Sequence, residues 1–316
     1  MKIIDGKLVS SNIKEDIKKE VAGILDAGLR APHLVAVLVG DDPASETYVK
    51  NKEKACHSVG INSSVYKMPE NTTTEELLKV ITFLNYDDEV DGIIIQLPLP
   101  KQIDYDVVLE TINPEKDVDG FHPLNVGKMV VGEETYLPAT PFGILKLLEY
   151  YQIETQGKNC AIIGRSNIVG TPMSILLSRK GKRGDCTVTL CHSKTANMAE
   201  ITRRADIVIV AIGKPKFLTA DMVKQNAAII DVGINRVPSD TSKTGYALVG
   251  DVDFEEVSKK ADYITPVPGG VGPMTIIGLM LNTLSSYKKR INTDEIESEE
   301  HHSCCCTHHH HDEYHQ

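Results

Sequence analysis

The sequence predicts an α/β fold in two domains, the second a doubly wound parallel sheet of the kind that holds nucleotides. Three observations carry that prediction. Apolar runs without polar alternation, such as "HLVAVLVG" (33–40) and "DGIIIQLPLP" (91–100), read as strands buried on both faces. Amphipathic stretches separate such runs, so strands alternate with helices. After "YLPATPFGILKLLEYY" the pattern restarts with several strands and a glycine-bearing turn. A length of 316 residues suits two domains.

In chain order, "DDPASETYVKNKEKACHSVG" is a helix. Asp42 suits its N-cap, Pro43 its first turn and Gly60 its stop. "TTEELLKVITFLNYD" is a second helix. Pro98 and Pro100 end the strand that precedes them. Thr140 and Pro141 open a helix that bridges the domains. "KNCAIIG", "CTVTLCH", "ADIVIVAIG" and "AAIIDVG" are strands, and "NIVGTPMSILLSRKG" is the helix after the first of them. "TPVPGGVGPMTIIGLMLNTLSSYKK" is a rigid loop feeding an apolar helix. No internal repeat is visible.

Composition narrows the partners. Hydrophobic residues make up 41% and charged residues 25%, enough for a packed core. The net charge is −10, but residues 291–316 hold seven carboxylates and no Lys or Arg, which leaves the body near −3. That balance gives no reason to expect nucleic acid. No apolar run approaches the ~20 residues of a membrane span, and the N-terminus lacks the apolar core of a signal peptide. Cys56, Cys160, Cys186 and Cys191 are scattered without a Cys-x-x-Cys pair, as in a cytoplasmic protein with reduced thiols. The tail "EEHHSCCCTHHHHDEYHQ" is rich in metal-ligand residues, yet three adjacent cysteines do not match zinc spacings. Residues 291–316 are expected to be a disordered extension, and no metal site is expected.

"IIGRSNIVGTPMSILL" stands at a strand–loop–helix junction, where a dinucleotide's pyrophosphate needs close backbone approach and free N–H groups. Gly164 and Gly170 supply the approach, although the spacing is G-x-S-x-x-x-G, and a glycine turn in any α/β protein reads alike. The next strand ends in His192, Ser193 and Lys194, with no carboxylate for a ribose 2′-hydroxyl. Arg165 lies in the loop, and Lys180, Lys182 and Arg183 follow the helix. These cations favour a 2′-phosphate, hence NADP over NAD, unless "SRKGKRGD" is only a solvated loop.

Tyr48, Lys52 and Cys56 recur every four residues and share one helix side. Alone, the set reads as packing with a snorkelling amine as readily as an aromatic and an amine held together for chemistry. Its company changes the odds. "PASETYVKNK", "DGIIIQLPLP", "PEKDVDGFHPLNVGK", "PATPFGILKLL", "GRSNIVGTPM", "CHSKT", "DVGINR" and "TPVPGGVGPMT" follow in order. From residue 1 to about 288 the chain resembles the bifunctional methylenetetrahydrofolate dehydrogenase/methenyltetrahydrofolate cyclohydrolase family.

The resemblance implies an α/β folate-site domain over 1–139, completed by 270–290 as the last helix packs back, and a Rossmann NADP-binding domain over 140–269. It implies oxidation of 5,10-methylenetetrahydrofolate with NADP, then hydrolysis of the methenyl product to 10-formyltetrahydrofolate. It further implies a homodimer. The competing readings are a monofunctional or NAD-preferring dehydrogenase and a non-catalytic folate- or nucleotide-binding protein. By resemblance, Lys52 is the catalytic lysine, Gln96 orients it, Tyr48 stacks on folate and Asp119 binds the pterin ring. Pro268, Gly269 and Gly270 belong to the substrate loop, and Gly164, Arg165, Ser166, Ser193 and Ile234 match cofactor positions. The "SRKGKRGDC" connection is longer than the family's usual one. Asp117 reads as a turn residue, and His192 as structural or near the cofactor edge.

Overall fold

The structure is a computed structural model and describes residues 1–239 and 245–305, with side chains as far as 291. The first half builds a three-stranded parallel sheet in the order β3-β2-β4, from β2 (His33–Val39), β3 (Asn62–Met68) and β4 (Gly92–Ile95). Helices α1 (Gly6–Asp26), α2 (Pro43–His57), α3 (Thr74–Tyr86), α4 (Tyr105–Thr111) and α5 (Pro123–Val131) accompany it. Helix α6 (Ala139–Tyr150) then leads into the second half.

There a six-stranded parallel sheet runs β1-β11-β8-β7-β5-β6. Its strands are β1 (Lys2–Ile3), β5 (Asn159–Ile163), β6 (Thr187–Cys191), β7 (Ile207–Val210), β8 (Ala228–Asp231) and β11 (Tyr263–Ile264). Helices α7 (Gly170–Ser178), α8 (Met198–Arg204) and α9 (Phe254–Val257) join them. A small antiparallel hairpin of β9 (Asn235–Pro238) and β10 (Tyr246–Val249) stands apart. The chain steps from β5 outward to β6 and then back past it to β7, so a crevice opens beyond the carboxyl ends of β5 and β7. The last helix is α10 (Val271–Cys305).

The local signals explain the helix starts. The Asp42 carboxylate accepts from the Ser45 N–H at 2.8 Å and from its hydroxyl at 2.7 Å, and Pro43 opens α2. Gly60 closes the following turn at φ +84°. Thr73 and Glu76 form a reciprocal capping box on α3. Strands β2 and β4 are buried nearly throughout, as an unbroken apolar run requires.

Four expectations differ. The first domain was to begin at residue 1, but Lys2–Ile3 pair with Tyr263–Ile264 in the second sheet. Two residues are too few to show a period. Helix α7 starts at Gly170 rather than Asn167, because the preceding residues stay in the loop, where the Ser166 hydroxyl accepts from the Val169 N–H at 3.2 Å. A disordered tail from 291 is not what the backbone adopts as far as Cys305. Residues 291–305 contain no Gly or Pro and continue α10. The rest of the tail lies outside the described residues, as do the side chains of its cysteines and histidines. Finally, strand β3 and the β9–β10 hairpin had no place in the sequence reading.

One hydrophobic cluster spans both sheets. Leu34, Ala36 and Ile94 of the small sheet join Ile162, Ile209 and Ile230 of the large one through Ile144 and Leu148 of α6 and Met274, Ile277 and Met280 of α10. Polar ties fix α10 further. The Asn282 amide donates to the carbonyls of Val118 at 2.8 Å and Leu137 at 2.9 Å, and the Ser286 hydroxyl donates to Asp91 O and Glu115 O at 2.7 and 2.8 Å. The fully buried Asp91 carboxylate takes a two-point hydrogen bond from Arg30, both at 2.7 Å.

Candidate active site

Helix α2 sets Tyr48 one turn before Lys52 and Cys56 one turn after it. Tyr48 is half exposed, while Cys56 is buried. Burial pushes the Cys56 thiol up to about 12, so it stays protonated and is an inert packing group. Lys52 is partly buried, and its Nζ donates to Gln96 Oε1 at 3.1 Å. Gln96 follows β4 directly, and its own amide N–H donates to Leu97 O at 2.7 Å. That second bond fixes which face of the amide meets the lysine. Burial lowers the Lys52 pKa below its ordinary value, against the opposing pull of Asp119.

Asp119 is the counter-charge. Burial raises its carboxyl to about 6, Lys52 opposes the rise and Asp117 adds to it. The loop that carries it is held from behind. Buried Asp117 accepts from the His122 N–H at 2.8 Å and from the Asn125 amide at 2.9 Å, as a turn residue does. Tyr105 also faces this pair: burial, then the charges of Asp119 and Asp117, push its hydroxyl up to about 12. The sequence reading passed over Tyr105.

Pro268, Gly269 and Gly270 form the loop before α10. Gly269 has φ +108°, a conformation that favours glycine, and its carbonyl accepts from the Lys7 N–H at 3.2 Å. Helix α1 begins directly against this loop, where a Cβ on Gly6 would lie 1.7 Å from Gly270 O.

The second cluster lies at the crevice beyond β5. Gly164 has φ +115°, and a Cβ there would lie 2.3 Å from Ala211 O. A Cβ on Gly170 would lie 1.9 Å from Gly164 O, so glycine at both positions lets the turn fold tightly onto the start of α7. A cavity of about 310 Å³ opens here, lined by Gly164, Arg165, His192, Ser193, Ile212 and Lys214 among others. A guanidinium, an amine, an imidazole and a hydroxyl converge, and among the described residues no carboxylate lines the space. That donor set fits a nucleotide bearing a 2′-phosphate.

Of the five expected cofactor residues, Gly164, Arg165 and Ser193 line this cavity. Ser166 instead caps the turn through Val169. Ile234 is half exposed, and its Cδ1 lies 3.5 Å from where a Cβ on Gly272, at the start of α10, would stand. The basic insert does not join. Lys182 and Arg183 line a different cavity with Leu148 and Ile153, and Arg183 pairs with Glu149. Lys214, Met198 and Phe217 were missed. The signal for Lys214 was its place just after a parallel strand, where crevice loops lie.

Comparison with known proteins gives two family matches. The model of the tetrahydrofolate dehydrogenase/cyclohydrolase catalytic domain matches residues 4–119, and that of the NAD(P)-binding domain matches 138–291. The bifunctional protein FolD of Flavobacterium johnsoniae is 57% identical over 290 residues, covering 92% of this chain and 98% of the relative. That of Flavobacterium psychrophilum is 58% identical, covering 92% and 99%. Among solved structures, the bifunctional FolD methylenetetrahydrofolate dehydrogenase/cyclohydrolase of Campylobacter jejuni aligns with TM-score 0.86 at 52% identity, covering 92% of this chain and 99% of that one. The Trypanosoma brucei enzyme, solved with NADP cofactor and an inhibitor, aligns with TM-score 0.86 at 38% identity, covering 92% and 98%.

Proposed function

The chain belongs to the tetrahydrofolate dehydrogenase/cyclohydrolase family, and from that premise we propose how its residues divide the work of two reactions. The enzyme oxidises 5,10-methylenetetrahydrofolate to the methenyl form with NADP, and hydrolyses that product to 10-formyltetrahydrofolate. Residues 4–139 with 270–290 form the folate unit, and 140–269 joined by Lys2–Ile3 form the cofactor unit. The observation that carries the assignment of roles is the Lys52–Gln96 hydrogen bond beside Asp119.

The methylene carbon lies between two nitrogens, so loss of hydride leaves a cation that both stabilise. NADP, when bound, supplies the hydride acceptor. The chain's task in this step is positioning. Tyr48 offers an exposed ring for stacking a flat ligand. Asp119 accepts from the paired N–H donors of the pterin ring, and the loop of Pro268, Gly269 and Gly270 lets a planar group approach backbone. Gly164, Arg165, Ser166, Ser193 and Ile234 hold the cofactor, Ser166 from the turn that its hydroxyl caps and Ile234 from the segment after β8.

In the second step water adds to the methenyl carbon and gives up one proton; as the C–N5 bond breaks, its electron pair goes to N5, which takes the hydroxyl's remaining proton while the C=O bond forms. The formyl group remains on N10. Lys52 takes the proton that water gives up. Its lowered pKa favours the neutral amine, which still donates one N–H to Gln96 and keeps a lone pair for water.

The chain works as a homodimer in the cytoplasm. The edge strand β6, whose outer side no strand covers among the described residues, supports the first reading. Four free, buried cysteines support the second. The test is absorbance of purified protein with methylenetetrahydrofolate and NADP or NAD, followed by decay of authentic methenyltetrahydrofolate. NADP reduction with accelerated decay is expected. Reduction without accelerated decay would leave a monofunctional dehydrogenase, and no turnover in either assay would leave a binding protein.

A further inference from the structure

Two buried carboxylates stand behind the cofactor cavity and have no part in the roles assigned so far. Asp231 ends β8, and Asp251 follows β10. Asp251 is 0% exposed. Its Oδ2 accepts from the backbone N–H groups of Ile212 at 2.7 Å and Gly213 at 2.9 Å, and its Oδ1 accepts from the Asn235 amide at 2.9 Å. Asp231 holds Asp251 in turn. Its Oδ1 accepts from the N–H groups of Asp251 at 2.9 Å and Gly233 at 3.0 Å, and its Oδ2 from Val252 at 3.0 Å.

The backbone is shaped around these groups. A Cβ on Gly233 would lie 2.2 Å from Asp251 Cγ, and one on Gly250 would lie 1.8 Å from Asp231 Oδ2. Strand β7 ends at Val210, so the N–H groups of Ile212 and Gly213 lie beyond the sheet ladder and need another acceptor. Three donors converge on Asp251. An ionised carboxylate accepts at every position, whereas an amide presents a donor at one of them.

We propose that Asp251 is a positioning residue of the cofactor site. Through Ile212 and Gly213 it fixes the wall of the 310 Å³ cavity that carries Ile212 and Lys214. Through Asn235 it ties that wall to Ile234, which stands beside Gly272 where α10 leaves the folate loop. One buried side chain thus sets the spacing between the nucleotide cavity and the folate loop. The inference rests on the reading of that cavity as the NADP site. The dehydrogenase depends on this spacing, and the cyclohydrolase, which needs no NADP, does not.

The test is calorimetric titration with NADP, alongside both activities, of the wild type, Asp251→Asn and the double variant Asp251→Asn/Asn235→Asp. In the double variant the amide and the carboxylate exchange places, so donor again meets acceptor between 251 and 235, and only the long 3.4 Å bond from Asn235 to Val249 O is lost. Asp251→Asn is expected to weaken NADP binding about tenfold, the scale of a lost charge-assisted hydrogen bond. KM for NADP should rise with it, while kcat and the cyclohydrolase rate stay within about twofold. The double variant should recover most of the affinity. Unchanged NADP affinity in Asp251→Asn overturns the proposal. So does parallel loss of both activities without recovery in the double variant, which would make Asp251 a general support of the fold. If Asp251→Asn does not fold, Asn235→Ala decides: a weakening of about threefold is expected from one lost amide bond, and none overturns the proposal. A wild type that hydrolyses methenyltetrahydrofolate but binds no NADP overturns the cofactor reading, and this proposal with it.

Discussion

Lys52 and Asp119 are tuned against each other, and each yields a prediction. Replacing Lys52 with Met removes the amine but keeps a stem of similar length. Cyclohydrolase activity should fall by at least about a hundredfold, the lower range for a general base, while the dehydrogenase persists, as decay of methenyltetrahydrofolate and NADP reduction will show. Wild-type hydrolysis by Lys52→Met would remove the role assigned to it. Asp119 has its carboxyl raised to about 6, mainly by burial. Below that pH it gains a proton and loses an acceptor position, so KM for methylenetetrahydrofolate should climb as pH falls through about 6. The stability effect has the opposite sign. A raised carboxyl pKa favours folding below the unfolded value of 3.8, and this contribution is lost as pH rises to about 6. Near neutrality Asp119→Asn should therefore cost substrate affinity without lowering Tm; a clear fall in Tm would contradict the desolvation account. Both residues were legible in the sequence because each sits in a long ordered motif. Asp251 was not. Its partners come from the loop after β7 and the start of β9, and no spacing along the chain brings Ile212 next to Asp251.

Helix α10 is the element on which the folate site leans. Asn282 spans the carbonyls of Val118 and Leu137, and Val118 is the neighbour of Asp119. Asn282→Ala would leave two acceptors without their donor, at a cost of about 2–4 kcal/mol. Denaturant unfolding should show that loss, and KM for the folate substrate should rise more than KM for NADP. Equal effects on both would argue against a specific tie to the Asp119 loop. The sequence marked the helices best where side chains make their own ends, as Asp42 and Thr73 do. It marked least well the elements that depend on distant partners. Strand β3, "NSSVYKM", is largely open to solvent and lacks an apolar run. The start of α7 depends on how closely Gly170 meets Gly164, which is a matter of space rather than propensity.

The hydrophobic cluster that joins both sheets through α6 and α10 makes separate unfolding of the halves costly. Urea transitions followed by far-UV circular dichroism and by NADP binding should coincide; separated midpoints would show the halves to be independent. The same connectivity bears on how the chain is made. Strand β1 leaves the ribosome long before its partner β11, which comes from residues 263–264, and α10 begins only at Val271. Residues 2–3 and the apolar side of α1 must therefore wait until residues 263–264 and α10 have been synthesised. At about 5–20 residues per second, that interval is on the order of tens of seconds. Through that interval the unpaired segments are exposed to aggregation, and closure of the first half on the second comes late.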